Sequence, residues 1–239
     1  MKQSIDVFST AIAFQEEEVQ GKTVVVIDVL RACSSIVTAL NNGAKSVIPV
    51  ADMGAAGQIA MNLDPTSFVM CGERDGEKIA GYQLGNSPFE YTEEAVGKKT
   101  LILNTTNGTR AISKCSQAKK VIIGCFLNLN SVIEELKAAD SEIILICAGW
   151  KNRISMEDML CAGAIIHGVY GGSLSLQSTD GAKVAFGLYE KYGNQISEVV
   201  QTSNHATRLK GLNSADDIAY CTQINKINKI PSFTEGIIK

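Results

Sequence analysis

Four segments of this chain place guanidinium groups, three of them with carboxylates as well, behind runs of β-branched residues. Asp28 and Arg31 follow the run Thr23–Ile27, and Cys71-Gly-Glu73-Arg74-Asp75-Gly follows the run ending at Met70. Asn104-Thr-Thr106-Asn107-Gly108-Thr109-Arg110 follows a third, and Lys151-Asn-Arg153-Ile-Ser155-Met-Glu157-Asp158 lies just beyond a fourth. In an open parallel sheet, ligands bind outside the carboxyl ends of the strands, so these are the positions that would meet a substrate. A carboxylate at a strand end, such as Asp28, binds a hard cation such as Mg²⁺ or attacks phosphorus itself. Asp28 equally suits a turn or a helix N-cap. The Asp-x-Asp signature of phosphoaspartate phosphatases is absent, because Asp28 is followed by Val29 and Leu30.

The other segments carry similar double readings. Thr105–Arg110 sets small and hydroxylic residues before a helix, where exposed N–H groups attract anions and Gly108 admits a phosphate closely. It also reads as an ordinary Asn-Gly turn. Glu73 and Arg74, between glycines, suit a metal and an anion together, or a surface ion pair. Ser155-Met-Glu-Asp158 fits a capping box. Cys147 and Arg153 stand in the Cys-x5-Arg spacing of cysteine-based phosphatases, in which a low-pKa thiolate attacks phosphorus. Against that reading, Trp150 and one glycine occupy the loop, and Ile154 stands where a hydroxyl residue is expected. His205, in the polar stretch Thr-Ser-Asn-His-Ala-Thr, reads as a solvated surface histidine that could donate a proton. His167 reads as a core histidine, and Asp216 and Asp217 as first-turn helix acids.

The elements that must position these groups are legible as continuous apolar runs. Thr23–Ile27, Ser46–Val50, Ser67–Met70, Thr100–Leu103, Lys120–Ile123 and Ile143–Ile146 have the pattern of parallel strands covered on both faces. Helical patterns lie between them at Ala32–Asn42, Ser131–Ala139 and Asp158–Tyr170, the last apolar almost all round. The alternation is the βαβ grammar. Gly21–Asp28 leading into Arg31-Ala32 is echoed by Gly97–Asn104 leading into Arg110-Ala111, a partial internal repeat of strand–loop–helix units. The expected fold is α/β, three-layer, with a mostly parallel or mixed sheet covered by helices. After about Gly172 the chain reads as mostly helical, with a final short strand near Ile230–Ile238. The expected organisation is one domain over 1–239, with a second option of two closely packed lobes meeting near 125–140.

Length and composition bound the function classes. At 239 residues the chain is long enough for a sizeable core, and 45% apolar with 20% charged residues is a globular composition. A net charge of −3 argues against bulk nucleic-acid binding, which needs a basic surface. No run approaches the ~18 apolar residues of a membrane span, and no apolar run marks a signal peptide. Seven cysteines without a Cys-x-x-Cys pair suggest free thiols in a reducing cytoplasm. With only His167 and His205 available, a three-histidine metal site is ruled out, and any metal must be held largely by oxygen.

Four ordered motifs then carry a specific resemblance: VVVIDVLRACSSIVTALNNGA, GERDGEKIAGYQLGNSPFEY, LNTTNGTRAI and SMEDMLCAG. In order and spacing they resemble the 2-phosphosulfolactate phosphatase family, from about residue 20 to the C-terminus. The resemblance implies an α/β, Mg²⁺-dependent phosphoric monoester hydrolase that converts 2-phosphosulfolactate to sulfolactate and phosphate, as in coenzyme M biosynthesis. It carries over Asp28 and Arg31, Glu73 and Arg74, Gly85 to Pro88, Thr106 to Thr109, and Glu157 with Asp158. Two departures are Cys33-Ser34-Ser35 in place of a threonine run and Gln83 in place of an aspartate. The substrate would carry roughly three to four negative charges near pH 7, which calls for several fixed cations in one cleft. Planar guanidinium forks suit such oxyanions.

The resulting expectations are specific. Asp28, Arg31 and Arg110 act in catalysis, and Asp28, Glu73 and Asp158 hold Mg²⁺. Arg74, Asn86, Ser87, Thr106, Asn107, Gly108, Thr109, Lys151 and Arg153 bind a small anionic phosphomonoester. Water attacks in line, with Asp28 as a phosphorylated nucleophile the open variant. No nucleic acid and no membrane partner is expected, and homo-oligomer formation stays open. The competing readings are a non-catalytic α/β module binding an anionic metabolite, and the Cys147–Arg153 phosphatase.

Overall fold

A computed structural model describes residues 4–175 and 178–239. Its strands are β1 (Ile5–Phe8), β2 (Thr23–Ile27), β3 (Ser46–Val50), β4 (Phe68–Arg74), β5 (Glu77–Lys78), β6 (Thr100–Asn104), β7 (Lys120–Gly124), β8 (Ile143–Cys147), β9 (Ser232–Thr234) and β10 (Ile237–Ile238). Its helices are α1 (Ala32–Asn41), α2 (Met53–Ala60), α3 (Glu93–Val96), α4 (Gly108–Ser113), α5 (Leu129–Lys137), α6 (Met156–Tyr170), α7 (Asp180–Tyr192), α8 (Ile196–Gln201), α9 (Asn204–Lys210) and α10 (Ala215–Cys221). The six strands expected from the continuous runs are all present. The four-residue β1 and the two-residue β5 are additions, because such short segments leave little periodic signal, and the final strand expected near Ile230–Ile238 is an antiparallel pair, β9 and β10.

The sheet order is β1-β8-β2-β7-β9-β10-β3-β6-β4-β5. β1, β8, β2 and β7 run parallel in register, with Val25 opposite Leu145 on one side and Ile122 on the other. β3, β6 and β4 form a second parallel set. The C-terminal hairpin joins them, β9 antiparallel to β7 and β10 antiparallel to β3. The segment 125–140, where two lobes were expected to meet, connects β7 to β8, and both strands flank β2 in the same set.

Each parallel set is covered on both faces, which is why its strands read as unbroken apolar runs. Val25, Ile27, Ile122, Ile143 and Leu145 face α5, α6 and α7. Their alternates, Val24, Val26, Ile123, Ile144 and Ile146, face inward against α1 and α4 and reach Val47, Val69, Leu101 and Leu103 of the second set. The far face of the second set packs Ile48, Ile102 and Met70 on Ala56 and Ile59 of α2. Helices α1 and α4 are therefore shared: α1 touches β7 and β3, and α4 touches β2 and β3. The three-layer arrangement holds for each set, with one helical layer in common.

That sharing decides where the strand ends go. Followed along the ladder, the hairpin reverses the second set relative to the first. Even so, residues at the carboxyl ends of β2, β8, β4 and β6 reach one cleft, lined by Asp28, Trp150, Glu73 and Thr106.

Candidate active site

Asp28 leaves β2 with its backbone N–H donating to Cys33 Sγ at 3.2 Å, and its Oδ1 accepts the N–H of Ala32, the first residue of α1, at 3.3 Å. The helix-start reading and the site reading thus coincide in one side chain. Its other oxygen lies over Gly108, where an added Cβ would come within 2.8 Å of Oδ2 and 2.6 Å of the Ala32 methyl. Gly108 is present because no side chain fits between the two loops.

Glu73 closes the opposite wall. Its Oε1 accepts the Thr106 N–H and its Oε2 the Gly76 N–H, each at 2.7 Å. The β6–α4 loop is therefore pinned to β4 by a carboxylate, and the Thr106 amide is already taken. Asn86 is brought in by α1, whose Ser35 hydroxyl donates to the Asn86 carbonyl at 2.7 Å. The Asn86 side-chain oxygen Oδ1 is buried with no hydrogen-bond partner.

Asp28, Arg31, Glu73, Asn86, Thr106 and Asn107 line a cavity of about 400 Å³. Asp75, Trp150, Lys151, His205 and Arg208 complete the wall. Burial pushes the Asp28 carboxyl well above its ordinary value, and the carboxylates of Asp158 and Glu73 push it further. Two acids held this close in a dry wall favour any cation that shares them.

Arg31 is buried and fully engaged. Its Nη1 donates to Asp217 Oδ2 at 2.6 Å, and its Nη2 to the Gly76 carbonyl at 2.8 Å. Asp217 takes a second bond from the Ser87 hydroxyl at 2.5 Å. One ion pair thereby ties the β2 exit, the β4–β5 turn, the Ser87 loop and α10 together. Asp217 does sit in the first turn of its helix, as expected, but its partner is 186 residues away in sequence.

The remaining candidates divide by position. Gly108 and Thr109 lie buried beneath the cavity, with the Thr109 hydroxyl donating to the Thr105 carbonyl at 2.8 Å. Ser87 lines an adjoining groove that shares Arg31 and Asn86. Arg74 and Arg110 are exposed and are not among the cavity's lining residues. Arg153 lines a neighbouring cavity of about 850 Å³ that shares Trp150, Lys151 and His205 with the first. Asp158 is buried behind the wall; its Oδ1 accepts the Val29 N–H at 2.9 Å and its Oδ2 the Gly149 N–H at 3.1 Å. It clamps the exits of β2 and β8 together, and burial followed by the Glu157 charge pushes its carboxyl up to about 7. Gln83 is exposed and accepts the Met70 N–H at 2.9 Å, so this departure from the motif lies outside the cavity lining.

Three sequence readings are corrected. Cys147 is fully buried, its Sγ lies 3.8 Å from Met159 Sδ, and burial pushes its thiol well up. A nucleophilic cysteine needs the opposite environment, so the Cys147–Arg153 reading fails. His167 is not a core histidine: its ring is 40% exposed, with Nε2 3.3 Å from Glu190 on α7. His205 is not a solvated surface histidine: its side chain is 14% exposed, and its Nδ1 lies 2.9 Å from Glu157 Oε1. The sequence carries no local signal for the His205–Glu157 pair or for Arg208, since α9 docks over the cleft only through tertiary packing.

The donor set suits Mg²⁺. Asp28 just past β2, Glu73 near the end of β4 and Asn86 in the loop that follows β5 carry hard oxygen atoms that could hold such an ion. Among the described residues, no group of three His, Cys, Asp or Glu side chains is placed to hold a metal ion by itself.

An α/β sheet that gathers acids and cations around one polar cleft at its loop ends has the design of an enzyme for a small anionic ligand. Residues 9–236 match the family model described as 2-phosphosulpholactate phosphatase. A probable 2-phosphosulfolactate phosphatase of Thermotoga maritima is 42% identical over 219 residues, 92% of both chains. One from Caldanaerobacter subterraneus subsp. tengcongensis is 37% identical over 235 residues, 98% of this chain and 97% of its own. One from Clostridium beijerinckii is 37% identical over 234 residues, 98% of both. The chain belongs to the 2-phosphosulpholactate phosphatase family, whose name denotes phosphoric monoester hydrolysis.

Proposed function

We propose that this chain is a Mg²⁺-dependent phosphatase that hydrolyses 2-phosphosulfolactate, or a closely related 2-phospho acid, to the 2-hydroxy acid and phosphate. The observation that carries the metal-assisted reading is the convergence of Asp28, Glu73 and the unpartnered Asn86 oxygen on one cavity with Arg31, Lys151 and Arg208 on its walls. Asp28, Glu73 and Asn86 would hold the ion, which when bound supplies charge neutralisation at the phosphoryl oxygens. Asp28 lines the cavity with its Oδ2 against Gly108, and its position suits a carboxylate that orients water or attacks phosphorus. Thr106 and Asn107 bound the phosphoryl end. Lys151 and Arg208 offer charge to the carboxylate and sulfonate groups, while Arg31 holds the loops in register. Positioning and preorganised charge account for most of the acceleration in phosphoryl transfer. A place in coenzyme M biosynthesis is part of the same proposal, and so is a cytoplasmic setting. Among the described residues, no helix is long and apolar enough to cross a membrane.

Phosphate release is the direct test. With 2-phosphosulfolactate, activity is expected to vanish in EDTA, return with Mg²⁺ and survive iodoacetate. Ligand binding without phosphate release would leave the non-catalytic anion-binding module as the better reading.

A further inference from the structure

We propose that His205 is the general acid that protonates the leaving hydroxyl oxygen, with Glu157 as its positioning residue; the assignment rests on the phosphatase reading above. Four observations converge on it. His205 sits in the first turn of α9 and lines both cavities, at the point where they join. Its ring stacks on Trp150, with centroids 5.2 Å apart and planes 15° from parallel. Its Nδ1 lies 2.9 Å from Glu157 Oε1, a carboxylate only 1% exposed at the start of α6. The second oxygen of Glu157, Oε2, is buried without a hydrogen-bond partner. A carboxylate kept so dry accepts the Nδ1–H and fixes the tautomer, leaving Nε2 as the ring nitrogen free for the cleft. The stacked indole fixes the ring plane. This is the orienting geometry of a histidine that moves a proton, held by an acid on a different helix.

The chemistry needs such a group. The leaving oxygen is a secondary alkoxide, which departs poorly without a proton. In the step assigned here, the oxygen of water bonds to phosphorus as the bond from phosphorus to the ester oxygen breaks. The electron pair stays on that oxygen, which takes the proton from Nε2. The proton lost by the attacking water restores the imidazolium. Around the ring stand Glu157 from α6, Lys151 beside Trp150, Arg208 one turn along α9, and Asp28, Glu73 and Asp75 across the cavity.

Leaving-group dependence separates this role from a structural one. Single-turnover phosphate release would be measured with 2-phosphosulfolactate, 2-phospholactate and its 3,3,3-trifluoro analogue, whose leaving hydroxyl is far more acidic. His205→Asn is expected to slow 2-phospholactate by at least ~10²-fold, the scale of general acid catalysis, and the trifluoro ester by a much smaller factor. Glu157→Gln keeps a hydrogen-bond acceptor but loses the charge, and is expected to show the same selectivity with a smaller loss. Active wild-type enzyme together with equal losses on both lactate esters in the two variants overturns the assignment and leaves the phosphatase reading standing. No phosphate release by wild type from any of the three esters overturns both.

Discussion

Asp28 concentrates the tension of the site in one residue. Its Oδ1 starts α1, its Oδ2 packs against Gly108 at the edge of the cleft that Asp28 lines, and burial with two neighbouring carboxylates raises its pKa. Asp28→Asn is expected to lower kcat by at least ~10²-fold, as for other preorganised charges. Because the amide removes a buried charge, the metal-free melting temperature should stay level or rise. Near-normal turnover in this variant would remove Asp28 from the site. Asp158 makes a different prediction. Its carboxyl is raised from 3.8 to about 7 by burial and then by Glu157, so the folded chain holds that proton more tightly than the unfolded chain. The stability this confers is fully present below the unfolded value and is lost as pH rises through about 7. Urea unfolding of the metal-free chain should therefore show wild type gaining on Asp158→Asn as pH falls from 8 toward 5. A gap that does not change with pH would place the Asp158 carboxyl near its ordinary value. At this scale the sequence marked Asp28 and Glu73 through their place behind β-branched runs. It singled out Glu157 only beside Asp158 in one motif and His205 only as a surface histidine, and it could not mark their partnership, which spans 48 residues and two helices.

The exits of β2 and β6 are the elements on which the cleft depends. The Asn-Gly turn before α4 was legible as a turn, and its glycine as a point of close approach. What approaches it is Asp28, not a phosphate group alone. Gly108→Ala would bring a methyl group within 2.6 Å of Ala32 and 2.8 Å of Asp28 Oδ2. It should cost about 1–3 kcal/mol, the scale of overpacking, and lower turnover by displacing Asp28. Chemical denaturation and kcat on the same preparation check both; unchanged values in both would mean the two loops can part freely. Arg31 and Asp217 belong to this scale as well, since their buried ion pair fastens α10 to the β2 exit. Asp217→Asn leaves a buried guanidinium poorly compensated, at a cost of ~3–5 kcal/mol by analogy with other broken buried pairs. A loss below about 1 kcal/mol, the range of exposed pairs, would show that water reaches Arg31 readily.

For the whole molecule, the eight residues from Ser232 to Lys239 hold a position out of proportion to their length. Among the described residues they supply the only strand-to-strand pairing between the two parallel sets. Chain truncated after Pro231 would leave β7 and β3 with bare edges, an invitation to intermolecular pairing. Such a chain is expected to elute as aggregates and to lose its single cooperative melting transition. A monomeric product with an unchanged melting temperature would show that the shared layer of α1 and α4 suffices to hold the halves together.

The sequence by itself determined the strands of both parallel sets, the helices between them and the polar loops at their ends. These follow from local periodicity, because a strand buried on both faces must be apolar throughout and its exit must turn. It also determined the family, through four motifs in fixed order. Only the tertiary structure decided that the C-terminal hairpin reverses the second set along the ladder, and that the strand ends of both sets nonetheless line one cleft. Only it decided that Arg31 and Asp158 serve as ties between loops, that Arg110 and Arg74 point to solvent, and that His205 meets Glu157. Those outcomes depend on contacts between segments far apart in the chain, which no window of neighbouring residues contains.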